Sequence, residues 1–196
     1  MAISDRIRFV DWQIIQNQVV NTSLTGDRYV AVIGNSNWQF TLRSAPFTRN
    51  DPSDSKMPLS TDGTDVFTFT IPTPLDDSKG TVSGTVSVSS STTDGAAPTP
   101  GSFTVKVSGG TGTLKAGDFI KFSNHSKVYM LSADVDLDGS SEDTMLVYPG
   151  LVKDVTGATV VYDNVQIKAT PLNQPFEYSI GNDDLIEWEQ TFREII

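Results

Sequence analysis

Several residue types that define protein classes are missing or rare in this sequence. Cysteine is absent from all 196 residues, which excludes a disulfide framework, a thiolate metal site and a cysteine nucleophile. There is one histidine, so a histidine-rich metal site is excluded as well. No run of 18 apolar residues occurs, and the first residues carry no apolar signal segment. We therefore expect a protein that folds where it is made and spans no membrane.

Hydrophobic residues are also scarce, at 37%, and Ser, Thr, Gly, Asp and Asn take their place. These residues favour turns and strand edges, so the composition predicts many short strands joined by polar loops. The formal net charge is -10, and such a surface repels phosphate backbones. Sequence-specific nucleic-acid binding is therefore not expected. An acidic surface would suit a channel through which DNA slides, but only within an assembly.

Alternation of apolar and polar residues predicts strands at both ends of the chain. Residues 38–43 alternate with period two, and residues 66–71 do so up to a proline. Five short strands between residues 103 and 162 predict a small antiparallel barrel. Residues 185–195 alternate again, with Trp188 on the apolar face. We expect this last strand to complete the sheet begun at the N-terminus.

The fold class predicted from this pattern is mainly β, with a domain formed by both termini and a barrel inserted between them. The first domain is predicted to comprise residues 1–75 and 164–196. The barrel domain is predicted at residues 102–163. Between them, residues 76–101 are rich in Ser, Thr, Gly and Pro, and they predict a connector or an extended arm.

Catalytic residues are not found in a pattern that would support chemistry. His125 lies in a polar turn without a carboxylate at a spacing that would orient it, which favours an exposed position at a hairpin tip. Glu187 and Glu189 share one face of the last strand, where a solvated or interface role is favoured over hydrolysis. Trp12, Trp38 and Trp188 are expected in the core rather than on a sugar-binding platform. The sequence predicts that the protein is not an enzyme.

One acidic segment has the spacing of a metal loop. Asp134, Asp136 and Asp138 place oxygen ligands at alternate positions, a glycine follows, and Glu142 stands at the ninth position. The twelfth position is Met145 rather than a bidentate carboxylate, and the flanks predict strands rather than helices. The four acidic residues are candidate ligands of a structural calcium ion, with an acidic hairpin loop as the alternative. No other cofactor is indicated.

Three motifs in the predicted barrel point to a known family. They are a Lys-Ala-Gly-Asp turn at 115–118, a His-x-Lys-Val-Tyr strand at 125–129 and a Tyr-Pro-x-Leu segment at 148–151. Together they resemble the barrel of distal tail proteins from long-tailed bacteriophages. Residues 25–30 and 188–196 are similar to the first domain of that family. The motifs are structural rather than catalytic.

The resemblance implies a β-sandwich domain related to the tail-tube fold, with an inserted oligonucleotide/oligosaccharide-binding-like (OB-like) barrel. It further implies a homo-oligomeric, hexameric ring at the virion tail tip that joins the tail tube to the baseplate hub, fibres or receptor-binding proteins. The sequence departs from the family by lacking a clear helix after the Trp38 strand and by adding the Ser/Thr-rich stretch at 76–100. We expect this stretch to reach a neighbouring subunit by strand addition.

Three functions therefore remain open. The first is a ring-forming structural subunit of the virion tail tip, made in the host cytoplasm. The second is another tail component, such as a tube or connector subunit, which would differ in copy number. The third is a carbohydrate-binding module that contacts the host surface, which would need several exposed aromatic side chains.

Overall fold

The protein consists of β-strands joined by turns wherever its structure is described. The structure is a computed structural model that describes residues 7–16, 18–32, 36–48, 65–71, 81–89, 99–172, 177–181 and 185–196. All regular elements in these ranges are strands, which confirms the mainly β prediction. Residues 49–64, where the family resemblance would place a helix, lie outside the described residues.

The strands are short, as the composition predicted. In chain order they are β1 (Ile7–Ile15), β2 (Gln18–Thr22), β3 (Arg28–Val32), β4 (Asn37–Ser44), β5 (Phe47–Thr48), β6 (Phe67–Thr70), β7 (Ser87–Val88), β8 (Thr104–Ser108), β9 (Thr111–Leu114), β10 (Phe119–Phe122), β11 (Val128–Leu131), β12 (Val135–Asp138), β13 (Glu142–Tyr148), β14 (Val160–Val161), β15 (Gln166–Pro171), β16 (Glu177–Ile180) and β17 (Leu185–Glu194).

Contacts divide the chain into two compact units. Residues 1–68 and 168–195 form unit 1, and residues 69–167 together with Ile196 form unit 2. Unit 1 therefore combines the two ends of the chain, and unit 2, apart from Ile196, comes from the middle. The domains predicted from the sequence are parts of the chain that would fold independently. The division by contacts does not test independent folding, so the predicted domain limits stay a prediction.

Unit 1 is built around the last strand. Its main sheet has the order β1-β4-β17-β15-β6, and β5 and β16 also pair with β17. β17 lies antiparallel to β4, with Thr191 opposite Thr41. The side chains of β17 alternate strictly between buried and solvent-facing positions from Ile186 onward, because one face covers a core. The prediction that the C-terminal strand completes the N-terminal sheet is confirmed.

Aromatic rings fill the core of unit 1. Phe40 on β4 stacks on Phe192 of β17 at a centroid distance of 5.7 Å, and Trp12 of β1 stacks on Phe40 at 4.9 Å. Such pairs add specific geometry to the burial of apolar area. The carboxylate of Glu194 is buried and accepts a hydrogen bond of 3.0 Å from the backbone N–H of Trp38. This bond fixes the register where β4 begins.

The β2–β3 hairpin forms a two-stranded sheet of its own. Val20 pairs with Val30 in an antiparallel register. The connecting turn is closed by hydrogen bonds from the Ser23 N–H to the Asp27 carbonyl (2.9 Å) and from the Gly26 N–H to the Ser23 carbonyl (3.0 Å). Gly26 has φ of +87°, a conformation that glycine adopts without strain. We call residues 18–32 the ribbon.

Unit 2 is a six-stranded barrel. Its strands follow the order β14-β10-β11-β13-β8-β7. The two ends of this order meet, because the N–H of Val160 donates to the carbonyl of Val86 (2.9 Å) and the N–H of Val88 donates to that of Ala158 (2.8 Å). These bonds close the sheet, and alternate side chains from all six strands fill the interior.

The Ser/Thr-rich stretch predicted as a connector or arm contributes a barrel strand. Val86 and Val88 are buried in the barrel core, whereas Ser87 between them faces outward. Residues 81–89 therefore belong to the barrel and are not available as an arm, because withdrawing β7 would open the barrel and expose both valines. Residues 72–80 and 90–98 lie outside the described residues.

A two-stranded sheet formed by β9 and β12 covers part of the barrel core. Leu114, Val135 and Leu137 point into the same cluster of buried side chains as the barrel strands. The backbone approaches closely here, since a Cβ on Gly112 would lie 2.4 Å from the carbonyl oxygen of Thr81. Gly112 has φ of +104°, so glycine is required both by the close approach and by the backbone conformation.

Candidate functional site

The four predicted calcium ligands lie along a strand and the turn after it. Asp134, Asp136 and Asp138 project to solvent from β12 and its start, while Val135 and Leu137 between them are buried. Side chains on one face of a strand are about 7 Å apart along the chain, too far to surround one cation. Among the described residues, no group of three or more His, Asp or Glu is close enough to hold a metal ion.

Each of these carboxylates already accepts hydrogen bonds from the protein. Asp134 accepts from the Lys115 Nζ and from the Ala116 N–H, both at 2.8 Å. The hydrogen bond from Lys115 is the main reason why the pKa of Asp134 is lowered. Asp136 accepts from the Thr113 hydroxyl at 2.6 Å. An ion would have to displace these donors, and calcium binding stays a prediction.

Asp138 and Glu142 bracket the turn between β12 and β13. Asp138 Oδ1 accepts from the N–H groups of Ser140 (2.8 Å) and Ser141 (2.7 Å). These bonds, that from Ser141 first, lower the pKa of Asp138 well below its usual range. Glu142 accepts from the Lys106 Nζ at 3.3 Å. The acidic turn connects two strands that pair with other strands, β12 with β9 and β13 with β8 and β11, rather than with each other.

His125 lies in the turn of the β10–β11 hairpin, as predicted, but its side chain is half-buried, so the prediction that it is exposed is wrong. Asn124 Oδ1 lies 2.6 Å from Nδ1 of the ring, and the hydroxyl of Tyr129 lies 2.8 Å from Nε2. The Asn124 amide donates to the Asp154 carbonyl, which orients its oxygen toward the ring. Nδ1 therefore carries the proton, and Nε2 accepts from Tyr129.

Burial lowers the pKa of His125 to about 4, and the charges of Lys153, Lys127 and Lys121 add to the shift. A histidine that stays neutral until about pH 4 is a weak base. The described contacts of its two ring nitrogens include no carboxylate that would orient it for proton transfer. The buried Tyr129, which the sequence placed in a family motif without assigning it a role, links this turn to residue 152 because its hydroxyl also accepts from the Val152 N–H.

The other side chains considered from the sequence lie where alternation predicted. Glu187 and Glu189 are exposed on β17, and Glu189 forms an ion pair with Arg43 on the adjacent β4. Trp38 and Trp188 are buried, and Trp12 stacks on Phe40. None of the three tryptophans provides an exposed platform for a sugar.

The ribbon stands out because its apolar side chains are solvent-exposed. Val19 is 52% exposed, Val20 45%, Tyr29 63% and Val30 49%. All five side chains of β2 are exposed. The pairing places Val20 and Val30 on one face and Val19 and Ala31 on the other, so both faces combine apolar groups with exposure. This is the strongest candidate for an interaction surface in the described part of the chain.

In its described residues the chain is an all-β protein with an antiparallel sheet in one unit, a barrel in the other and an exposed apolar ribbon. Residues 86–165 match the family described as distal tail protein pb9, B domain. This range lies within the barrel unit. The predicted resemblance to bacteriophage distal tail proteins is therefore confirmed over these residues, and it supports a structural role in a phage tail. No curated protein matches the chain.

The described residues contain no helix with the length and apolar character needed to span a membrane.

Proposed function

We propose that this chain forms a hexameric ring at the tip of a phage tail, where it joins the tail tube to the baseplate hub, fibres or receptor-binding proteins. The observation that carries the proposal is the match of residues 86–165 to a distal tail protein domain. In this proposal the role is structural and non-catalytic. His125, the residue best suited to acid–base chemistry, is a weak base that lies in a structural network.

The architecture of the chain supports the same function. β17 pairs with β4, so both ends of the chain share one sheet, and the barrel strands come from the segment between them. This is the arrangement expected for a ring-forming domain with an inserted OB-like barrel. Ring closure requires a contact in which one surface of a subunit meets a different surface of its neighbour. The acidic charge of the chain would let DNA pass through such a ring without adhering.

The copy number in purified virions tests this proposal. Quantitative mass spectrometry, with the major capsid protein and the main tube protein as internal standards, should give about six copies per particle, as one closed ring requires. Copies in the many dozens would contradict the ring and indicate a tube subunit. Absence from the virion would overturn the tail assignment.

A host-glycan role receives less support from the structure. Such a site needs several exposed aromatic faces on one surface. Among the described residues, one large aromatic side chain is exposed in each unit. It is Tyr29 in unit 1 and Phe103, 55% exposed, in unit 2. One ring in each unit does not form a platform, so we do not propose sugar binding.

A further inference from the structure

The ribbon exposes apolar side chains of the kind that protein–protein interfaces bury. An isolated two-stranded ribbon is at most marginally stable in water, because neither of its faces covers a core. In this chain the described side chains of β2 and β3 are exposed on both faces, and valines lie on each of them. Burying an exposed valine contributes about 1–2 kcal/mol, so a partner that covers the ribbon would stabilise it substantially.

The charge of the ribbon indicates what kind of partner fits. The chain as a whole carries -10, so two copies repel each other over most of their surfaces. Within residues 18–32 the charged side chains are Asp27 and Arg28, which cancel. A neutral, apolar segment is where two copies of an acidic protein can approach without a large electrostatic cost. A strongly basic partner would instead favour the acidic surfaces.

Unit 1 also carries exposed apolar side chains outside the ribbon. Val10 on the edge strand β1, Leu172 after β15 and Ile180 on β16 are all exposed. These residues provide apolar surface against which the ribbon of a neighbour could pack. The chain therefore carries both an apolar projection and apolar surface elsewhere on the same unit, as a contact between two different surfaces of identical subunits requires.

We propose that the ribbon, residues 18–32, is the surface through which each copy of this chain binds a second copy. The inference rests on the proposed ring and deepens it by naming the contact. The sequence analysis expected residues 76–100 to contact a neighbouring subunit. Because β7 is part of the barrel, we assign that contact to the ribbon instead.

A matched pair of variants tests the contact. V30D places a charge within the proposed interface, and V66D places the same charge on a valine of similar exposure, 49% against 57%, outside the ribbon. Native mass spectrometry over a concentration series should show that V30D needs about tenfold or more protein than wild type for half-assembly, because an unpaired charge would be buried. V66D should assemble like wild type. Equal assembly of V30D and V66D would overturn the inference.

A second measurement uses the absence of cysteine, which makes an introduced thiol unique. V30C, labelled with a benzophenone maleimide, should cross-link to a second copy of the chain when the labelled protein is incorporated into tails and irradiated. A cross-link to a different tail protein would contradict the choice of partner while the ring itself could stand. If the wild-type chain is monomeric in solution and present as one copy per tail, the proposed ring itself is contradicted, and the inference about the ribbon is contradicted with it.

Discussion

At the scale of single residues, the hydrogen bonds of His125 have a consequence for stability. Burial, together with the charges of nearby lysines, lowers the pKa of His125 to about 4 in the folded chain, against 6.5 for an unperturbed histidine. Between these two values the unfolded chain binds a proton at this residue that the folded chain does not. Stability contributed by His125 is therefore complete above pH 6.5 and is lost as the pH falls toward 4.

Replacing the histidine should remove that dependence. We expect H125Q to flatten the difference in unfolding free energy between pH 7 and pH 4.5 by about 1–2 kcal/mol, a figure reduced from the full shift because the ring is half exposed. Urea unfolding of both proteins at the two pH values measures it. An identical pH dependence in wild type and variant would show that His125 titrates normally.

Gly112 provides a second test at this scale. A Cβ there would lie 2.4 Å from the Thr81 carbonyl oxygen, whereas a Cβ on Gly117 would meet nothing within 4 Å. Both residues have positive φ, +104° and +93°, so the backbone strain is similar. G112A should cost about 3 kcal/mol or more and G117A about 1 kcal/mol in the free energy of unfolding. Equal losses of unfolding free energy in G112A and G117A would mean that the backbone of Thr81 does not lie close to Gly112.

At the scale of elements, some strands could be predicted from the sequence and others could not. β17 was predictable because it separates a core from solvent, so Ile186, Trp188 and Phe192 alternate with polar residues over ten positions. β7 and the residue before it contribute only two inward valines, Val86 and Val88, within a run of Ser and Thr. Their hydrogen-bonding partners lie about 20 residues away on β8 and about 70 residues away at residues 158–160. Its place in the barrel depends on tertiary pairing that no local pattern contains.

The candidate site shows the same limit. The aspartates of β12 were identified by spacing alone, but their alternation with Val135 and Leu137 is equally the pattern of a strand with one solvent face. Exposure of the ribbon could not be predicted either, because Val19, Val20 and Val30 have the composition of a buried strand. Whether a valine faces a core depends on what packs over it, and sequence periodicity does not report that.

The role of β7 can be tested by truncating one side chain. V86A removes buried methyl groups from the barrel core, where Val86 is fully buried, and should cost about 2 kcal/mol in the free energy of unfolding. S87A, on the outward face of the same strand, should change stability by no more than about 0.5 kcal/mol. Chemical denaturation compares them, and a V86A variant as stable as wild type would contradict a closed barrel.

At the scale of the whole molecule, net charge should govern self-association. Copies that each carry -10 repel at low salt, where the Debye length is about 30 Å at 10 mM, and far less at 150 mM, where it is about 8 Å. We therefore expect association to strengthen between these two salt concentrations, measured by sedimentation velocity. Weaker association at the higher salt would indicate an interface dominated by ion pairs, which the neutral ribbon does not provide.

The central claim is the position of this chain in the particle, and a cryo-EM reconstruction of the tail tip tests it most directly. The ring account predicts six copies around the tail axis in a single layer below the tube, with the sheet formed by β1, β4 and β17 inside the ring domain. Stacked layers of the chain along the tube, or a tail tip without it, would contradict the account.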